Sequence, residues 1–121
     1  MRKFLLIALT LTVCTTYPLL ANAEMTLDAY TRLMKGTAQE RELAETYIEG
    51  VGEGYSWANT ELSKRKMPLL FCYNGAISKP FFNKLAADEI AKYLAVIPNA
   101  PRKVPMAVML KHQLQSTYPC K

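Results

Sequence analysis

The sequence predicts an all-α protein: a compact bundle of four to five helices closed by one disulfide, after an N-terminal signal peptide. Three observations lead to this prediction. Apolar residues recur at helical spacing in several separate segments, no segment of strand length alternates with period two, and an even pair of cysteines remains after the signal peptide. Half of the residues are hydrophobic, so the chain can bury a core and does not belong to the disordered class.

Residues 1–23 have the three parts of a secretory signal peptide. The second and third residues are basic, residues 4–13 form a largely apolar run, and residues 21–23 read Ala-Asn-Ala, a cleavage site of the A-x-A type. About ten apolar residues are too few for a bilayer, which needs roughly 20. We therefore expect cleavage after Ala23, a periplasmic location and no stable membrane anchor. A retained anchor and lipid attachment at Cys14 are the alternatives.

The mature chain, residues 24–121, is predicted to be a single helical domain. Without the two basic residues of the signal peptide, the formal net charge of +5 falls to +3. This excess is too weak to predict binding to nucleic acid or to an anionic membrane surface. The charge is also unevenly distributed, since residues 40–53 are acidic and residues 64–66 are basic.

The mature chain keeps Cys72 and Cys120, and an even pair in an exported domain predicts a disulfide. The bond would close a loop of about 50 residues and restrict the unfolded chain by about 4 kcal/mol. Two free thiols or a metal-binding pair are the alternatives. A metal site needs three or four ligands, and neither a further cysteine nor a nearby histidine supplies them.

The first two predicted helices have clear end signals. One spans Thr26 to Lys35 and ends at Gly36. The next begins after Thr37, with Glu40 three residues on as a capping box. Its predicted core stripe recurs at steps of three and four residues and consists of Leu43, Tyr47, Val51, Tyr55, Ala58 and Leu62.

The second helix also carries three glycines, and each costs roughly 1 kcal/mol against alanine in a helix interior. Gly50, Gly52 and Gly54 therefore predict close packing against another helix, or a kink. A dinucleotide-binding loop is excluded, because no strand precedes the glycines and the helical periodicity continues through them.

The third and fourth helices are delimited by prolines. Ser78 and Pro80 mark the start of the third helix, and Pro98 stops it. The fourth begins near Pro105 and runs to about Ser116. The predicted inward residues of the third helix are Phe82, Leu85, Ala86, Ile90, Tyr93, Leu94 and Ile97.

No residues combine into a catalytic or cofactor site, so the sequence predicts that the protein is not an enzyme and uses no metal or cofactor. His112 is the single histidine, and it is predicted to be a solvated surface residue. Thiol hydrolysis needs a thiolate beside a base, whereas both cysteines are assigned to the disulfide. Aromatic residues near the end of the second helix, Tyr55, Trp57 and Tyr73, are predicted to pack in the core, with a binding patch as the alternative.

Four carboxylates follow the outer face of the second helix: Glu42, Glu45, Glu49 and Glu53. A pair of carboxylates can perform acid–base chemistry in glycoside hydrolysis, but this requires pKa values separated by burial. On an exposed helix face they are interpreted as a solvated stripe. Contact with a basic partner is the alternative.

Four short motifs, in order, resemble the Rap/Tai immunity proteins of type VI secretion. The motifs are Tyr47-Ile48-Glu49-Gly50-Val51 with Gly54, then Phe71-Cys72, Lys92-Tyr93-Leu94 followed by Pro98, and Tyr118-Pro119-Cys120. The resemblance covers about residues 27–120. Many relatives have a further cysteine pair, with one cysteine where Leu43 and Ala44 stand here, so the subfamily and the cognate toxin stay open.

The resemblance implies a periplasmic antidote that binds a peptidoglycan amidase and blocks its Cys–His active-site cleft. It also implies a helical fold, a disulfide between the two motif cysteines, and a homodimer. Two alternatives stay open on the residues alone. An HdeA-like acid-stress chaperone would share the size, the export and the single disulfide, and so would another small envelope-binding module.

Two connectors are the predicted contacts with such a toxin, because a protruding, pre-shaped segment loses little entropy on entering a cleft. Residues 63–68 offer positive charge for steering, and residues 98–105 are stiffened by three prolines. The candidate partner-binding residues are Lys64, Arg65, Lys66, Asn99, Arg102 and Lys103. The alternative is that both connectors are simply solvated loops.

Overall fold

The computed structural model describes residues 24–121, which form four helices. Their bounds are Leu27–Met34 for α1, Ala38–Lys64 for α2, Lys79–Val96 for α3 and Met106–Thr117 for α4. Within this part of the chain there is no strand, only an isolated antiparallel bridge between Thr26 and Pro105. The all-α prediction is therefore confirmed. The predicted signal peptide and its cleavage site lie outside the described residues.

A threonine caps the start of both α1 and α2, and the cap of α2 is the predicted one. The Thr26 hydroxyl accepts from the Ala29 amide at 3.3 Å. Thr37 and Glu40 form the complete capping box: the Glu40 amide donates to the Thr37 hydroxyl at 3.3 Å, and the Thr37 amide donates to the Glu40 carboxylate at 2.7 Å. The Thr37 amide holds the pKa of Glu40 below its usual range, because it stabilises the charged form.

The core face of α2 differs from the predicted stripe. The buried residues of this 27-residue helix are Ala44, Ile48 and Gly52, whereas Leu43 is 59% exposed. Both lines recur at steps of four residues, but the predicted line is displaced by one residue, which turns it by about 100° around the helix. Tyr47, Val51 and Tyr55 consequently flank the core rather than fill it, and Leu43 faces away from it.

Only one of the three glycines permits close packing. A Cβ built on Gly52 would lie 2.2 Å from Cγ of Phe82, so α3 reaches α2 only because this side chain is absent. Gly50 and Gly54 have no atom within 4 Å of such a Cβ. The predicted close approach is confirmed at Gly52 and is wrong at the other two glycines, which face away from the neighbouring helices.

Helices α3 and α4 run antiparallel, and their pairings show the register. Near the start of α3, Phe81 stacks against Tyr118 with ring centroids 5.9 Å apart. One turn before the end of α3, Lys92 donates to the side chain of Gln113 at 3.1 Å. Most predicted inward residues of α3 contact the core, but Ile97, which follows the last helical residue, is exposed instead. The buried core consists of Leu27, Tyr30, Ala44, Ile48, Phe71, Phe82, Leu85, Ala86, Met106, Met109, Leu110 and Leu114.

The segment between α2 and α3 is held without regular structure. The Asn59 side chain accepts from the Leu70 amide at 2.7 Å and donates to the Phe71 carbonyl at 2.8 Å. The next residue forms the predicted disulfide, Cys72–Cys120, with an S–S distance of 2.07 Å. The Cys72 amide also donates to the Tyr118 carbonyl at 2.8 Å, so the C-terminal tail is joined to this segment twice.

Candidate partner-binding surface

The loop between α3 and α4, residues 97–105, is fastened to the start of α1. The Asp28 amide donates to the Arg102 carbonyl at 2.9 Å, and the Leu27 amide donates to the Val104 carbonyl at 2.8 Å. These amides belong to the first turn of α1, whose N–H groups have no partner inside the helix. The loop therefore caps α1, and the bonds fix its backbone. Within the loop, Ala100 is buried.

The predicted contact residues of this loop are all presented to solvent. Asn99, Arg102 and Lys103 are exposed. An exposed set of polar side chains on a backbone held by hydrogen bonds is suited to binding a partner, because little backbone entropy remains to be lost.

The other predicted connector is a helix cap rather than a protruding loop. Lys64 is the last residue of α2 and pairs with Glu61 at 2.8 Å. The Lys66 amide then donates to the Ser63 carbonyl at 3.0 Å, and the Met67 amide to the Leu62 carbonyl at 2.9 Å. This pattern is a Schellman motif, which ends a helix through one left-handed residue. The basic residues are exposed, but they are attached to α2, whereas the 97–105 loop is attached to α1.

The left-handed residue of this cap leads to a stability prediction. Lys66 has φ of 55°, which costs a side-chain-bearing residue about 1 kcal/mol or more relative to glycine. Lys66→Gly should therefore raise the free energy of unfolding by about 0.5–1 kcal/mol in urea titrations. Arg65→Gly is the matched control, because Arg65 has φ of −87° and gains nothing from glycine. An equal gain from the two changes, or a gain from Arg65→Gly alone, would contradict the cap.

A groove between α2 and the start of α3 was not foreseen. It has a volume of about 480 Å³ and is lined by Glu53, Ser56, Trp57, Thr60, Ile77 and Phe82. The predicted core packing of Trp57 is wrong, since this side chain is 69% exposed at the groove. Tyr55 and Tyr73 do pack against the core. No sequence pattern pairs Trp57 with Ile77 and Phe82, because the turn before α3 brings them together.

The predicted acidic stripe lies beside this groove. Glu49 and Glu53 line its extension along α2, and Glu42, Glu45 and Glu49 line a neighbouring depression of about 260 Å³. Asn83 joins the two helices there, donating to the Glu45 carbonyl and to the Glu49 carboxylate at 3.3 Å each. None of these glutamates forms an ion pair with a side chain that the structure describes.

The single histidine is exposed, as predicted, but its side chain also pairs with a glutamate, which was not predicted. His112 Nδ1 lies 2.6 Å from Oε1 of Glu89, whose residue is only 8% exposed. The helical spacing of Phe82, Ala86 and Glu89 places Glu89 on the core face of α3, so its burial could have been predicted. The His112 ring gives this buried carboxylate a partner from α4.

Within residues 24–121, no group of three or more histidine, cysteine or acidic side chains is arranged to hold a metal ion. In the same part of the chain, no helix is long and apolar enough to cross a membrane.

Comparisons of the chain with protein-family profiles, with curated proteins and with solved structures find no match.

Proposed function

We propose that the protein is an exported protein-binding domain without catalytic activity of its own. In particular, we propose a periplasmic immunity protein that binds and blocks a peptidoglycan amidase effector of type VI secretion, protecting the producing cell and its siblings. The motif resemblance, from the Tyr47–Val51 helix to the Tyr118-Pro119-Cys120 tail, supports this choice of partner.

The structural observation that carries the proposal is the fastening of residues 97–105. An inhibitor that enters an enzyme cleft gains affinity when its inserted segment is already in the bound shape. Two backbone hydrogen bonds to α1 hold this loop, and its exposed polar side chains extend from that fixed backbone. The basic residues at the end of α2 would contribute charge for steering instead of insertion.

The proposal predicts that a Cys–His amidase is encoded beside this gene, and that amidase provides the test. Co-expression should protect cells against that amidase directed to the periplasm, and the purified protein should inhibit peptidoglycan-peptide cleavage at a one-to-one ratio. An acid-stress chaperone would instead suppress aggregation of unrelated proteins at low pH and leave the amidase active. Failure to inhibit, with the protein folded and oxidised, would overturn the immunity proposal.

The two connectors should affect binding in different ways. Asn99→Ala with Arg102→Ala should raise the dissociation rate at least tenfold, because inserted contacts mainly determine how long a complex lasts. Reversing charge at residues 64–66 should mainly slow association, and this effect should shrink in high salt. Surface plasmon resonance on the immobilised amidase separates the two rates.

The matched control for both variants is Lys111→Glu, since Lys111 is exposed on α4 and belongs to neither connector. It should leave both rates unchanged. If the loop variant also dissociates like the wild type, the inserted segment is not residues 97–105.

A further inference from the structure

Large apolar side chains are exposed to solvent in the groove beside α2. Trp57 is 69% exposed and Ile77 is 44% exposed, and both line the same depression. Its floor is Phe82, which is only 2% exposed and rests on Gly52. Clustered exposed apolar side chains around a concavity are typical of interaction sites. Tryptophan is also one of the residue types enriched among those that dominate binding energy.

The charge around the groove has one sign. Glu53 lies in its wall, and Glu49, Glu45 and Glu42 continue along the same side of α2. Glutamates four residues apart on a helix repel one another, at a cost of a few tenths of a kcal/mol per pair. The whole chain nevertheless carries a formal net charge of +5, so this acidic stripe is a local feature opposed to the overall charge.

We propose that the groove is a docking site for a protein segment that carries one protruding apolar side chain flanked by lysine or arginine. The apolar side chain would lie over Phe82, between Trp57 and Ile77. The flanking cations would pair with Glu45, Glu49 and Glu53, and they relieve the repulsion along α2. This surface is separate from the 97–105 loop, and the proposal does not depend on the partner being an amidase.

The chain offers its own reporter of this site, because Trp57 is its single tryptophan. The probe is a short synthetic amphipathic helix with one row of leucines flanked by lysines. The matched control peptide has glutamate in place of each lysine. The lysine peptide should shift Trp57 fluorescence to shorter wavelength in a saturable manner. Its affinity should fall at least tenfold between about 0.05 M and about 0.5 M salt, because exposed charges are screened within a few ångströms there.

Variants of the stripe test the role of the charges. Glu45→Gln, Glu49→Gln and Glu53→Gln together should weaken the lysine peptide about tenfold, as expected for three surface ion pairs. Glu61→Gln is the control, since Glu61 lies on the same helix but pairs with Lys64. It should bind like the wild type. The salt titration needs no variant and keeps the test valid if the triple variant is less stable.

Three results would overturn the proposal. One is no fluorescence change with the lysine peptide. Another is equal binding of the glutamate peptide, which would leave an apolar groove without charge selection. The third is a shift of Trp57 fluorescence that follows the protein concentration and not the peptide concentration, together with a dimer in analytical ultracentrifugation. A second copy of the chain would then be the occupant.

Discussion

Removing the disulfide through Cys72→Ala with Cys120→Ala is expected to lower the free energy of unfolding by about 4 kcal/mol. The bond closes a loop spanning 48 positions, so its loss restores many conformations to the unfolded chain. A domain of this size has only about 5–15 kcal/mol of stability in total. The thermal midpoint should therefore fall by about 15–30 °C.

The structural consequence should be concentrated at the C-terminal tail. Tyr118 accepts a hydrogen bond from the Cys72 amide, and its ring packs against Tyr73 with centroids 4.7 Å apart. The Phe81 ring completes the cluster, with its centroid 4.6 Å from that of Tyr73. Without the bond, one hydrogen bond and these ring contacts alone attach the tail. Hydrogen exchange at the Cys72 and Tyr118 amides should thus accelerate more than exchange in the middle of α2.

The control for this experiment is the wild-type protein after reduction. Its unfolding midpoint should match that of the double variant, because both lack the same constraint and keep the same remaining contacts. A loss of less than about 1 kcal/mol in the double variant would contradict the prediction. It would mean that the unfolded chain keeps structure that already holds the two cysteines close together.

The elements of the fold were largely predictable because their signals are local. The capping box of Thr37 and Glu40 lies within one helical turn. Prolines delimit α3 and α4 for reasons that concern only the backbone near them. The disulfide was predicted from the two cysteines of a mature chain that is expected to be exported. The caps and helix ends need only a few neighbouring residues, so they depend little on tertiary packing.

The core face of α2 was harder to predict, because an error of one position turns a predicted stripe by about 100° around the helix. The predicted stripe started at Leu43, whereas the core follows Ala44, Ile48 and Gly52. Two of these three residues are small, so a search for large apolar residues passes over the true core face.

The groove could not be predicted for a different reason. Trp57 lies on α2, whereas Ile77 lies near the end of the irregular segment that follows α2, and Phe82 lies on α3. Their proximity depends on how Asn59 holds that segment and on how closely Phe82 approaches α2. Both are tertiary facts without a local signature. The position of Phe82 also sets the depth of the groove, which links the candidate site to Gly52.

Gly52→Ala is expected to lower the free energy of unfolding by about 2 kcal/mol, even though alanine favours the helix by roughly 1 kcal/mol. The added Cβ would lie 2.2 Å from Cγ and 2.4 Å from both Cδ atoms of Phe82. Those atoms belong to a buried ring in edge contact with Phe81, so the ring cannot swing away as the end of a flexible side chain could. The helices must move apart, which exposes apolar surface.

Gly50→Ala and Gly54→Ala are the matched controls, on the same helix and with the same chemical change. Neither Cβ meets an atom within 4 Å, so only the helix propensity changes. Each substitution should raise the free energy of unfolding by about 0.5–1 kcal/mol. Urea midpoints of the three variants should therefore lie on both sides of the wild type, with Gly52→Ala alone below it.

A double-mutant cycle assigns the loss to the ring. Phe82→Leu alone should destabilise the protein by about 1–2 kcal/mol, because it removes buried apolar volume. Combined with Gly52→Ala, it should cost less than the sum of the two single changes, since the smaller side chain leaves room for the new methyl group. Additive losses would show that Phe82 is not the obstacle. If Gly52→Ala were as stable as Gly50→Ala, the close approach of α2 and α3 at this residue would itself be wrong.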